Sequence, residues 1–282
     1  MIECPGIQKK TIRAHYDLST LFYRLMWGPH IHHGLWQANE SSRQAQVQLV
    51  EHLAKLAEIQ KGARIVDVGC GMGGSSRWLA SKLKCRVTGV TLSPVQRRWA
   101  QVASLFASPG SGLHFVCQDA EQIEFPQTSV DVVWSIECTE HLFEKANFFQ
   151  RAAGWLKPGG KMAICAWLAG QNETCADTVQ HVQRVCEGMF CPSLGTQADY
   201  EQWFSQAGLQ VVESQLWTDR VMKTWEICKS RVEKSGVRAL ARMLGKEHVL
   251  FLDRFTAILE AYQNRTMEYG CFVGVKAGGN CG

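Results

Sequence analysis

Between Glu137 and His141 the chain sets two carboxylates and an imidazole within five residues, Glu137-Cys138-Thr139-Glu140-His141. Such groups bind or deprotonate an acceptor, and histidine suits proton transfer because its unperturbed pKa lies near neutrality. The same residues could instead cap the following helix or brace a neighbouring segment. Upstream, Ile65-Val66-Asp67-Val68-Gly69-Cys70-Gly71-Met72-Gly73-Gly74 runs apolar β-formers into a glycine cluster, and Ser75 and Ser76 then open a helical pattern. Strand, tight turn and helix start follow one another. Glycines let a ligand approach the backbone, and the helix start offers free N–H groups. The segment reads as a nucleotide-cofactor turn.

Which cofactor it suits turns on charge. Gly69, Gly71 and Gly74 satisfy the dinucleotide pattern G-x-G-x-x-G. Asp67 argues against a dinucleotide, because a carboxylate at the strand end would repel a pyrophosphate. A dinucleotide site also wants an acid at the end of the next strand, where this chain has Thr91. S-adenosylmethionine (SAM) carries an ammonium, a sulfonium and a carboxylate but no phosphate, and fits better. A glycine turn without a ligand is the plain alternative.

The run from Val66 to Arg77, with Gly89-Val90-Thr91-Leu92-Ser93-Pro94-Val95-Gln96, resembles the class I SAM-dependent methyltransferases, most of all the γ-tocopherol methyltransferase group and its bacterial small-molecule relatives. Val133-Trp134-Ser135-Ile136-Glu137, Glu140-His141 and Leu156-Lys157-Pro158-Gly159-Gly160 extend the likeness. His15-Tyr16-Asp17, Phe22-Tyr23, Trp27-Gly28 and His32-His33-Gly34 resemble that group's N-terminal lid, and more loosely the cyclopropane fatty acid synthases. The resemblance covers nearly the whole chain. It implies a cofactor site of Asp67, Gly69, Gly71, Gly73, Thr91, Leu92, Gln96 and Ser135. It also implies that Asp119 accepts from the adenine amino group beside the Ala120 N–H, and that Tyr16, His33 and Gly34 reach the methionine end from the lid. Glu137 and His141 are the catalytic candidates, and Glu140, Trp167, Trp217, Trp225 and Tyr262 the acceptor-binding ones. Three departures lie on the acceptor side: Cys138-Thr139 replaces a Ser-Gly pair, Ala166-Trp167-Leu168 replaces Thr-Trp-Cys, and Val221-Met222-Lys223-Thr224-Trp225 replaces an aromatic-proline pattern. The likeness therefore speaks for SAM and not for tocopherol.

The elements that must position these groups alternate. Strands are expected at Arg64–Val68, Cys85–Val90, Leu113–Cys117, Val130–Trp134, Lys161–Trp167, Leu209–Leu216 and Tyr269–Val275, with helices at Ser75–Leu83, Pro94–Phe106 and Ala146–Leu156. Further helices are expected over Gln171–Phe190, Asp199–Ala207 and most of Asp219–Gln263. Alternation with short loops predicts an α/β, Rossmann-like, doubly wound and mostly parallel seven-stranded sheet. Ligands then bind outside the carboxyl ends of the strands, where every motif above falls. Residues 1–60 read as an N-terminal helical lid and 61–282 as the SAM-binding domain. The resemblance implies an antiparallel last strand and makes 218–263 a capping helical insertion before it. Lys276 to Gly282 reads as disordered.

Composition bounds the rest. At 282 residues, 46% hydrophobic and 20% charged, the chain reads as an ordinary soluble globular protein. A net charge of +4 with no basic run offers no nucleic-acid footprint; Lys9-Lys10 and Arg97-Arg98 read as solvated helix positions. No apolar run reaches membrane-spanning length. Twelve cysteines without C-x-x-C pairing or a secretory leader suggest a reducing cytoplasm. His30, His32 and His33 lack distal partners at zinc spacing, so no metal is expected. Ten tryptophans, with Phe190, Phe255 and Tyr262, favour a lipophilic, ring-bearing acceptor. The expected function is SAM-dependent methyl transfer to N, O or an activated ring carbon of a small molecule of specialised metabolism. Cyclopropane-type lipid modification and non-catalytic SAM binding are the alternatives, with a dehydrogenase as a minor one.

Overall fold

The computed structural model describes residues 1–107, 112–234 and 246–278. Its centre is a seven-stranded sheet built from β2 (Arg64–Val68), β3 (Arg86–Thr91), β4 (Leu113–Cys117), β5 (Val130–Ile136), β6 (Leu156–Ala169), β8 (Leu209–Leu216) and β9 (Met267–Lys276), in the order β4-β3-β2-β5-β6-β9-β8. β2 to β6 pair in parallel, and β9 lies antiparallel between β6 and β8. Helices cover both faces of such a sheet, so its central strands are near-continuous apolar runs. Val66 and Val68 of β2, Val132 to Ser135 of β5 and Met162 to Ala169 of β6 are buried accordingly.

Strand order reverses between β2 and β5. The turns leaving these two strands diverge and open a crevice at their carboxyl ends. Helix α3 (Gly74–Leu83) starts directly after the glycine turn of β2, and α4 (Pro94–Ala107) after β3. Gly69 holds φ +76°, and a Cβ there would lie 2.2 Å from that of Cys138, so only glycine lets the β2 and β5 turns meet. The amphipathic α1 (Lys9–Met26) lies over the crevice, turning Ile12, Tyr16 and Tyr23 inward and Lys10, Arg13 and Leu18 outward. α2 (Ser42–Leu56) begins with a Ser41–Gln44 capping box. A short antiparallel pairing of β1 (Ile2–Glu3) with β7 (Ser193–Leu194) ties down the N-terminus.

α5 (Lys145–Trp155), α6 (Ala176–Met189) and α7 (Gln197–Gln206) follow the sequence expectation to within a few residues at most ends. Two boundaries moved. α6 starts only at Ala176, after a turn. Leu156, expected to end α5, instead begins β6, because it pairs with Val130 beyond a register shift in β5. Between β8 and β9 stand α8 (Thr218–Val221), α9 (Lys223–Lys234) and α10 (Lys246–Gln263). The expected disorder after Lys276 falls largely outside the described residues. No described helix is long and apolar enough to cross a membrane.

Candidate active site

Two adjoining cavities open at the carboxyl edge of the sheet. The first holds about 780 Å³ of empty space including its mouth, and is lined by Gly69 and Gly71 after β2, Thr91 to Ser93 and Gln96 after β3, Asp119 and Ala120 after β4, and Glu137 and Cys138 after β5. Lys9, Ile12 and Tyr16 of α1 form its roof. The second, about 440 Å³ of empty space again including its mouth, is walled by Tyr23, Trp27, Trp167, Met189 and Trp225, with Glu140 and His33. Tyr16, Ile31, Glu137 and His141 line both.

The first cavity fits SAM. Gly71 sits at φ +52°, and no heavy atom lies within 4 Å of where its Cβ would be, so the backbone itself forms the cavity wall. Of the other residues expected there, Thr91, Leu92, Gln96, Asp119 and Ala120 line it, whereas Asp67, Gly73, Ser135, His33 and Gly34 do not. Asp67 turns its carboxylate to the Ser76 hydroxyl beneath the turn, and burial raises its pKa to about 7 despite that bond. Gly73 caps α3 and packs on Phe115, where a Cβ would come within 2.8 Å of the ring. Ser135 Oγ donates to the Val68 carbonyl and fastens β5 to β2. Gly34 N–H donates to Thr224 Oγ1, and His33 lines only the second cavity.

Sequence reasoning missed Lys9. Expected to be solvated, its ammonium bridges Asp119 (2.5 Å) and Glu121 (2.6 Å), which fastens α1 across the mouth. Asp17 accepts from Ser93 Oγ at the start of α4. The signal was available: Lys9, Ile12 and Tyr16 recur at helical spacing on one face.

Glu137 is saturated. Its Oε1 accepts from the His33 backbone N–H (2.8 Å), His33 Nδ1 (2.9 Å) and the Tyr269 hydroxyl (2.8 Å), and its Oε2 from Trp167 Nε1 (3.1 Å). The Trp225 indole N–H can only donate, and it meets His33 Nε2 at 2.5 Å. The His33 hydrogen therefore sits on Nδ1 and points at Glu137. Burial alone would raise the Glu137 pKa; the electrostatic pull and hydrogen bonds of His33 overcome it and hold the carboxyl below its ordinary value. Glu137 also adopts φ +53°, uncommon for a non-glycine residue.

Glu140 is the opposite case. Oε1 accepts from the Trp167 N–H at 3.2 Å, and Oε2 is buried without a partner among the described residues. Burial pushes its pKa up to about 8, so the group is largely a neutral acid at pH 7. The buried Lys145 ammonium donates to the Leu142 carbonyl and Ser193 Oγ rather than to Glu140's carboxyl.

His141 Nδ1 faces the Phe190 carbonyl at 3.1 Å, which can only accept, so Nδ1 carries the hydrogen. Nε2 then accepts from the Tyr16 hydroxyl at 2.8 Å. Burial lowers the His141 pKa to about 4 and keeps the imidazole neutral. The other histidines are engaged elsewhere: His30 Nδ1 lies 3.1 Å from His32 Nε2, and His32 Nδ1 bonds the His33 carbonyl. Trp167 and Trp225 reach the second cavity. Tyr262 stands behind it, 5.7 Å from the His33 ring, and Phe255 packs on Trp27 and Trp225. Phe190 packs on His15. Trp217 does not reach the cavity; it packs on His52 and bonds Gln215.

Residues 6–271 match the family described as mycolic acid cyclopropane synthetase. The chain is 28% identical over 281 residues to a chloroplastic tocopherol O-methyltransferase of Arabidopsis thaliana, covering 93% of this chain and 80% of that one. It is 26% identical over 247 residues to the 27-O-demethylrifamycin SV methyltransferase of Amycolatopsis mediterranei, covering 87% of this chain and 90% of that one. In fold it is similar to a cyclopropane synthase of Mycobacterium tuberculosis, with a TM-score of 0.86, 20% identity, and coverage of 96% and 100%.

Proposed function

The chain belongs to the mycolic acid cyclopropane synthetase family of SAM-dependent methyltransferases, and on that premise we propose that it methylates a lipophilic, ring-bearing small molecule of specialised metabolism at N, O or an activated ring carbon. The observation that carries this reading is the shared wall. Tyr16, Ile31, Glu137 and His141 separate the cleft lined by the cofactor candidates from an aromatic chamber. The chamber's tryptophan and tyrosine walls favour ring stacking. The two relatives named above act, by their names, on tocopherol and on a demethylrifamycin, which agrees with a lipophilic ring acceptor.

When bound in the first cavity, SAM supplies an electrophilic methyl group. Gly69, Gly71, Thr91, Leu92, Gln96, Asp119 and Ala120 would hold it. The chain's own work is to orient the acceptor and keep water out. Residues 1–60 act as the lid: Lys9 clamps α1 to Asp119 and Glu121, and Tyr16 closes the shared wall. Glu137 is a positioning residue, since all its nearby donors are already paired. Glu140, with a free oxygen in the chamber wall, binds the acceptor's polar group. The Tyr16–His141 pair takes the acceptor's proton where the nucleophile requires it, through the phenol hydroxyl onto Nε2. The helices between 218 and 263 cap the chamber through Trp225.

The test is a mass-spectrometric screen of the protein with SAM and a panel of indoles, phenols and prenylated rings. A product carrying one added methyl group is expected from at least one lipophilic ring acceptor, dependent on SAM. Methylation confined to acyclic, water-soluble acceptors would overturn the acceptor class.

A further inference from the structure

Six large apolar side chains stand exposed on two helices: Leu18 and Leu21 on α1, and Trp99, Val102, Leu105 and Phe106 on α4. Leu18 and Phe106 are each 84% exposed. The two helices pack against one another. The Ser93–Asp17 hydrogen bond joins the start of α4 to the middle of α1. One side of α1 roofs the cavities with Ile12, Tyr16 and Tyr23, and its other side is this apolar surface. Concentrations of exposed apolar side chains on soluble proteins mark interaction sites.

Charge identifies the occupant. Lys10, Arg13, Arg24 and Arg98 are exposed on the same helices. Their single acid, Asp17, is engaged by Ser93 and Arg13. Exposed apolar side chains and cations on the same pair of helices are the combination that binds anionic bilayers. A second copy fits less well. A two-fold interface on this face would set the cations of one copy against those of the other.

We propose that the α1–α4 face docks on an anionic lipid bilayer, from which the acceptor passes beneath α1 into the chamber. This rests on the lipophilic acceptor proposed above, which would partition into such a bilayer. The helix that binds the membrane is then the helix that covers the site.

The test is co-sedimentation of the 282-residue chain with vesicles of phosphatidylcholine alone, or with about one-third phosphatidylglycerol, at low and high salt. Binding to the anionic vesicles only is expected. The double variant Arg24→Gln/Arg98→Gln should bind about 25-fold more weakly at low salt, at roughly fivefold per cation, and should show a weaker salt dependence. Leu18→Ser/Phe106→Ser should weaken binding at both salts. Both variants should bind S-adenosylhomocysteine as the unaltered protein does, which shows that they are folded. Equal binding by variants and parent, or no binding to anionic vesicles, overturns the proposal. So does a lipid-free dimer that Leu18→Ser/Phe106→Ser dissociates. Methylation of a water-dispersed lipophilic acceptor without vesicle binding would sink the docking and leave the proposed function standing. Vesicle binding without methylation of any ring acceptor would sink the acceptor on which the docking rests.

Discussion

Glu137→Gln separates positioning from proton transfer at the shared wall. The amide keeps the shape of the side chain but has one oxygen where the carboxylate has two. If that oxygen stays with His33 and Tyr269, the new NH₂ faces the Trp167 indole N–H, donor against donor. The other three bonds lose their charge assistance. A hydrogen bond to a charged group contributes about 1.5–3 kcal/mol, and a stranded buried donor costs about 1–3 kcal/mol. The site favours the charged form, because the carboxyl lies below its ordinary pKa in spite of burial. A neutral isostere must therefore lose stability, on the order of 3–5 kcal/mol from the stranded donor and the lost charge assistance together. At about 2–4 °C per kcal/mol, that is a fall in Tm of roughly 6–20 °C. The assay is thermal unfolding followed by circular dichroism, beside turnover of a methylated acceptor. A general base would behave in the reverse way, losing about 10²–10⁴ in rate with little change in Tm. An unchanged Tm with turnover lost on that scale would refute the reasoning and make Glu137 the base.

Gly71→Val should abolish S-adenosylhomocysteine binding by calorimetry in a folded protein, because φ +52° suits β-branched residues poorly and the new side chain would enter the cleft; undiminished affinity would move the cofactor elsewhere. Glu140 has a folded-state pKa raised to about 8, so the folded protein holds a proton that the unfolded chain releases above its ordinary value of 4.5. Stability from this group therefore falls as pH rises from 4.5 to about 8, and urea unfolding between pH 7 and 8 should show a loss on the order of 1 kcal/mol that Glu140→Gln removes. The His141 effect runs the other way: its folded pKa is depressed to about 4, so stability from it is lost as pH falls from 6.5 to 4. Hydrogen exchange should show Tyr16–Gly34 gaining protection when S-adenosylhomocysteine is added; equal protection with and without it would make the segment a fixed element.

Local pattern determined much of this protein by itself. Ile65 to Gly74 shows a strand, a turn and a helix start, because apolar runs, glycines and small polar residues act within a few residues of one another. The alternation that follows dictates a parallel sheet, and a parallel sheet with a reversal in strand order dictates where a ligand binds. The cleft residues Thr91, Gln96 and Asp119 were legible through the family resemblance, and each lies at or just beyond the carboxyl end of a strand. Side-chain partners were not, because they come from elements far apart in the chain. Glu137 reads as a catalytic carboxylate until His33, Trp167 and Tyr269 converge on it. Glu140, three residues on, keeps an unpaired oxygen, and no local pattern tells the two acids apart. Lys9 looks like a solvated cation until α1 folds over Asp119. Trp217 and Trp225 look alike in sequence, yet only Trp225 reaches the chamber. Burial and hydrogen bonding set the charge of each of these groups, and both are properties of the packed whole.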